Sequence, residues 1–279
     1  MSRRVEATAG LVVGLILGTP ASAQVLQLPD RHANAASGSS VAAEVTALDL
    51  AAREARLFHE ISSGNVPSWL RSMVPVTMTR SLNGRAVAVT FHATPDYLAV
   101  GSDRDYFLVP LSPQMAQRIA DLTHTSLPTP AMVDAIWRAA SVRLGPDSIA
   151  PSAAMITVPV FAVHNRLVRA RRDSNATLPG ALVSGHKKDV VLSARLDTLV
   201  NRVAIYGWHR PNGEPIQPLN TWHTTGHVDY SHGVRLVHGV VQIEGRPHAL
   251  HDVLRDSTYA VLLSNEGTLR KVRYDTTWP

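Results

Sequence analysis

The histidines of this chain are crowded toward its end. Eight of thirteen lie between His186 and His251, and within that span three short polar stretches stand out. They are Gly185-His-Lys-Lys-Asp189, Tyr206-Gly-Trp-His209 and His223-Thr-Thr-Gly-His-Val-Asp-Tyr-Ser-His-Gly-Val-Arg235. Imidazoles beside carboxylates are the usual parts of general acid–base catalysis, in which one group moves a proton and the other orients it. The spacing assigns His186, Asp189, His209, Asp229, Ser231 and His232 to catalysis. His209 or His232 is the general base, and Asp189 or Asp229 orients it. In an extended 227–231 segment, His227, Asp229 and Ser231 share one face and Tyr230 and His232 the other. Residues two apart on one strand cannot form a relay alone, so the site needs His186 or His209 from a neighbouring strand.

Charge usage adds a second group. The chain has 24 arginines and three lysines, and two of those lysines are Lys187 and Lys188. A compact, deprotonatable ammonium differs from a guanidinium, so this choice marks the loop. Lys187, Lys188, Trp208 and Arg235 are expected to bind substrate, Arg235 by a bidentate contact to an anionic group. The bland reading of Lys187 and Lys188 is a solvated turn with a Lys–Asp contact.

A metal is the competing account, since His and Asp are good ligands. His209, His223 and His227 would be its ligands if they converge. No zinc-ligand spacing of known type occurs, the chain has no thiolate, and the two lysines beside His186 repel a cation. The expectation is a site that works without a tightly held cofactor, with a divalent metal as the alternative.

Ser231-His-Gly-Val-Arg235, following Tyr206-Gly-Trp-His209, resembles the end of the L,D-transpeptidase pattern, a His-Gly stretch and then Ser-His-Gly-Cys-x-Arg. The resemblance covers some 30 residues. It lacks the nucleophilic Cys and one position before Arg235, so transpeptidation by that mechanism is excluded. Gly64-Asn-Val-Pro67, Pro95-Asp-Tyr-Leu98 and Asp229-Tyr-Ser-His-Gly233 resemble a secreted bacterial family of unassigned activity. Both resemblances imply an envelope location rather than a particular reaction.

The elements that must position these residues read as α+β: N-terminal helices and a small β region, then a mostly antiparallel C-terminal sheet. A helix is expected from Ser40 to Gly64. Arg85–Thr90 alternates as a strand, and Tyr97–Val100 and Tyr106–Val109 form a hairpin around Gly101–Asp105. Ser112-Pro113 and Thr129-Pro130 each open a helix with a cap and a first-turn proline. A further helix runs from Pro159 to Arg172, where a basic end suits the negative pole of the helix. Strands follow at 190–192, 202–208, 233–237 and 240–244, and a last helix at 257–264. Residues 24–40 are small and polar and read as a flexible linker, and 41–279 as one domain whose site-bearing part is about 180–279.

Residues 1–23 have the form of a cleavable signal peptide: Arg3-Arg4, the apolar run Leu11–Leu17, and Ala21-Ser-Ala23. That run is too short to span a bilayer, and no transmembrane span is expected after cleavage. The chain has no cysteine, so disulfides, thiolate metal sites and cysteine nucleophiles are excluded. Net charge is +5, which suits an anionic envelope polymer or other anionic ligand. The arginines are scattered without an aromatic-basic ladder, so nucleic acid is not an expected partner. Together these features imply a periplasmic or secreted hydrolase of a cell-envelope polymer, peptidoglycan peptide or glycan. The alternative is a non-enzymatic protein that binds an anionic glycan or a metal. Export predicts a mature N-terminus near Gln24. N-terminal sequencing of protein recovered from the periplasm or medium checks this, and an intact Met1 would refute it.

Overall fold

The computed structural model describes residues 24–277; the expected signal peptide lies outside the described residues. Where composition suggests a flexible linker, the chain is strapped to the body. Leu26 is buried, Val25 bridges Ser72, and the Leu26 N–H donates to the Arg71 carbonyl at 2.7 Å. Arg31 donates to Asn65 Oδ1 and the Ala35 carbonyl, each at 2.8 Å. A small polar segment becomes ordered here because a neighbouring loop consumes its donors and one leucine enters the core.

The helix expected from Ser40 to Gly64 is two. Helix α1 is Gly38–Glu44 and α2 is Leu50–Ser62. Between them Leu48 is extended, and Asp49 caps α2 by accepting from Ala52 N–H at 2.8 Å. An aspartate that can satisfy the free N–H groups of a new helix makes a break cheaper than a continuous one. Gly64, at φ +80°, ends α2.

Strands β1 (Val74–Leu82) and β2 (Arg85–Ala93) pair along their whole length. Asn83 and Gly84, both with positive φ, make the two-residue turn between them. The expected hairpin is β3 (Ala99–Gly101) with β4 (Tyr106–Leu108). The two proline-opened helices are α3 (Pro113–Leu122) and α4 (Pro130–Ala139), capped by Ser112 and Thr129. Strand β5 (Thr125–Ser126) lies between them, and β6 (Val142–Arg143) precedes α5 (Val158–Ser174).

Short strands make up the rest: β7 (Val183–Ser184), β8 (Lys188–Val190), β9 (Ile205–His209), β10 (Pro215–Asn220), β11 (His232–Gly233), β12 (Val237–His238), β13 (Val240–Ile243) and β14 (Arg246–Ala249). The last helix, α6, is Leu250–Arg255, earlier than expected; within 257–264 only a short turn of helix at Ala260–Leu262 forms. The fold class is α+β, with mainly antiparallel sheets. A six-stranded sheet orders β14-β13-β2-β12-β5, with β1 on β2; a four-stranded sheet orders β10-β9-β8-β11, and β3-β4 and β6-β7 are two-stranded pairs. Among the described residues only β8–β11 and β6–β7 are parallel. A single core cluster draws on Val41, Phe91, Leu108, Ile136, Val190 and Val241. Among the described residues no helix is long and apolar enough to cross a membrane.

Gly64 holds the strap close: a Cβ there would stand 2.0 Å from the Pro29 carbonyl oxygen, whereas one on Gly84 would meet nothing within 4 Å. Both have positive φ, so Gly84→Ala should cost only about 1 kcal/mol of backbone strain. Gly64→Ala should cost more, roughly 2–3 kcal/mol. Urea unfolding of the two variants measures the difference, and equal losses would mean the strap is not held by this contact.

Candidate functional site

The sheet β10-β9-β8-β11 sorts the expected residues into three groups. Alternation puts Lys187, just before β8, on one face with Asp189, and Lys188 on the other with the buried Val190. Exposure agrees: Lys187 and Asp189 are each 1% exposed, while Lys188 is half-buried. At Gly185 (φ +103°) the chain passes so close to β6 that a Cβ would stand 2.2 Å from the Leu144 carbonyl oxygen.

The first group is internal. Asp96 is fully buried, ion-pairs with Arg172 and lies 3.0 Å from His186 Nε2. Burial alone would raise its carboxyl, and the neighbouring His186 and Arg172 reverse this and hold it well below the usual carboxylate range. Tyr97 donates from its hydroxyl to Asp189 Oδ2 at 2.8 Å. Arg235 lies over the Tyr97 ring at 4.3 Å and donates to the carbonyls of Thr94 and Val183 at 2.8 and 2.7 Å. Its Nε is 3.8 Å from Asp189 Oδ1. That separation offsets burial only in part, so the Asp189 carboxyl is pushed up to about 6. Lys187 donates to the Tyr230 carbonyl, and burial brings its ammonium down to about 7. His164 is buried nearby, stacked obliquely on Tyr230 at 5.0 Å with no hydrogen-bond partner for either nitrogen. His186, Asp189 and Arg235 thus join Asp96, Tyr97 and Arg172 in an interior polar network away from solvent, with Lys187 buried beside it on the Tyr230 carbonyl.

The second group is a dyad elsewhere on β9. His209 Nε2 is 3.0 Å from Asp134 Oδ1, which also accepts from the Tyr206 hydroxyl at 2.9 Å. Trp137 stacks on the His209 ring at 5.7 Å. Expected partners for His209 were Asp189 or Asp229; helix α4 supplies its carboxylate instead.

The third group reaches the surface. Asp229 Oδ1 accepts from the Ser231 backbone N–H at 2.7 Å and from the Ser231 hydroxyl. Its other oxygen, Oδ2, faces His227 Nε2 and His232 Nε2 at 3.8 Å each and Lys188 Nζ at 3.9 Å. Burial would raise this carboxyl, but His227, His232, Lys188 and Ser231 together hold it well below the carboxylate range. Burial brings the His232 imidazole down to about 4, so it is neutral at pH 7 beside an ionised carboxylate. His223 stacks on His227 at 4.0 Å and 9°, and Lys188 lies 5.0 Å over the Trp208 ring. His227 is the open member, with 34% of its side chain exposed. The Ser231 hydroxyl is buried and engaged with Asp229, as a support for that carboxylate.

The expected metal set is divided, with His209 on Asp134 and His223 stacked on His227. Among the described residues no three His, Asp or Glu side chains are arranged to hold a metal ion. The sequence reading omitted Asp96, Tyr97, Asp134, His164 and Arg172. Asp96 and Tyr97 lie in the Pro95–Leu98 stretch already singled out. Asp134 left a weaker trace, a lone carboxylate between the apolar Val133 and Ile136 of an amphipathic helix. No family model, no curated protein and no solved structure matches this chain.

The buried imidazoles set an acid limit. His232 falls from 6.5 to about 4 on folding, so between those values the unfolded chain binds a proton the folded one refuses. Stability is therefore lost as pH drops through this window, by roughly 3 kcal/mol for this residue. His164 and His186 are lowered too and act in the same direction. Asp189, raised to about 6, acts oppositely below that pH. Chemical denaturation between pH 7 and 4 should show falling stability, with a shallower slope in His232→Phe; an unchanged slope would refute the assignment.

Proposed function

We propose that this chain is an exported hydrolase of a cell-envelope polymer and that it works from the Asp229 cluster. The observation that carries this reading is Asp229 Oδ2, faced within 3.9 Å by His227, His232 and Lys188 where His227 opens to solvent. A carboxylate kept ionised in a desolvated place needs compensating charge, and a carboxylate beside an imidazole is a common pairing for moving a proton. His227 takes the proton from an attacking water and returns it to the leaving group as the scissile bond breaks, and Asp229 orients it and stabilises the imidazolium that forms in between. Lys188, steadied over Trp208, faces the negative charge that develops on the substrate oxygen. His232, neutral and buried, packs behind Asp229 and limits its contact with water. Lys187, Arg235, Asp189 and His186 support this constellation from inside and do not touch substrate.

The second reading is a non-enzymatic protein that binds an anionic glycan at the same residues. One feature favours it: Trp222, next to His223, is 82% exposed, and exposed aromatics mark interaction surfaces.

Incubating the mature protein with peptidoglycan and with anionic envelope glycans, then identifying released fragments by mass spectrometry, separates the two. Hydrolysis predicts fragments whose release falls about 10²-fold or more in Asp229→Asn and His227→Ala. Lys188→Gln should also slow release while leaving the fold intact. Polymer retention without any fragment would replace the hydrolase with the binding protein.

A further inference from the structure

The third lysine of the chain lines a cleft beside the loop that carries His223 and His227. This cleft, of about 210 Å³, lies between the segments 196–202 and 271–277. Thr225 is on its wall, in the middle of the histidine loop, and donates its N–H to the Asn201 carbonyl at 3.2 Å. Arg202 on the same wall bridges Thr224. The cleft and the Asp229 cluster therefore share one loop.

Its chemistry is two-sided. Arg202, Lys271 and Arg273 bring three positive charges to the lining, against one carboxylate, Asp275. Asp275 is turned to its own chain, accepting from the Thr277 N–H and hydroxyl at 2.9 and 2.8 Å. Arg273 is engaged by Asp121 at 2.6 Å, and Lys271 has no ion-pair partner among the described residues. Opposite them, Leu199 and Val200 are 37% and 76% exposed, an apolar lip that water covers at a cost.

We infer that this cleft binds the free carboxylate end of a short peptide. The carboxylate meets Lys271 and the remaining N–H groups of Arg202, whose Nη1 is held by the Trp222 carbonyl, and an aliphatic side chain covers Leu199 and Val200. The observations favour a peptide over a sugar acid. A sugar ring needs an open aromatic face, and the one aromatic of the lining, Tyr274, is buried with its hydroxyl donating to the Val191 carbonyl. Calling this cleft a substrate subsite, with peptide as the polymer attacked, rests on the hydrolase reading; the binding itself does not.

Isothermal titration of the whole mature protein tests it with N-acetyl-Ala-Ala, its C-terminal amide and digalacturonate. The acid should bind and the amide should bind at least about tenfold more weakly. Lys271→Met should weaken the acid about tenfold and Lys271→Arg should restore most of the affinity. Asp229→Asn should leave binding unchanged, which separates this site from the proposed hydrolysis. Absence of binding, equal affinity for acid and amide, an unaffected Lys271→Met variant, or a preference for digalacturonate that Lys271→Met removes would each overturn the assignment.

Discussion

Asp96 is a carboxylate with no access to water, and the molecule is arranged around keeping it charged. An isolated buried carboxylate would cost several kcal/mol. Here Arg172 arrives from α5 and His186 from the turn before β8, so three distant parts of the chain meet on one side chain. Tyr97, the next residue, carries the constraint onward through its hydroxyl to Asp189 and through its ring to Arg235. β8 is thereby fixed with Lys187 and Asp189 inside. Alternation places Lys188 on the opposite face, where Asp229 and Trp208 receive it. The surface cluster is a consequence of the interior one.

Neighbouring lysines thus have opposite fates. Lys187 gives up solvent and keeps one carbonyl as a partner, while Lys188 keeps a carboxylate, an indole face and a path to water. Sequence reasoning saw that both stand out in an arginine-rich chain, but the sign of the strand's alternation is a tertiary fact. It depends on the register of β8 against β11 and β9, which no local pattern specifies.

The same division runs through the rest of the reading. Helices α3 and α4 were legible because Ser112-Pro113 and Thr129-Pro130 are local signals with a local cause. The hairpin at Gly101–Asp105 was legible for the same reason. Asn83-Gly84 is an equally local sign, and β1 alternates too, with Val74, Val76, Met78 and Leu82 on one face, so the β1–β2 hairpin was open to the same local reading. Asp229, His227, His232 and Lys188 were all marked by their density in sequence. Their partition from His209 was not, because Asp134 and Asp96 lie 75 and 90 residues before the histidines they meet. Residues 24–40 misled for a related reason: composition describes what a segment can do alone, and Leu26 is held by the Arg71 carbonyl and Arg31 by Asn65.

The central strand of the larger sheet sets the tempo of assembly. β2 pairs on one side with β1, its immediate predecessor, and on the other with β12 and β13, some 150 residues later in the chain. Thr90 and Val89 wait for Gln242 and Ile243, so the sheet closes only when nearly the whole polypeptide is present. Pairings this remote in sequence are slow to form, and until then a nine-residue strand carrying Val87, Val89 and Phe91 keeps one edge unpaired. A chain made from its N-terminus, or threaded through a pore in that direction, therefore passes through an intermediate with a bare sticky edge. Its yield depends on how well that edge is shielded in the interval, and folding helpers that hold extended strands are the natural counterpart of this topology.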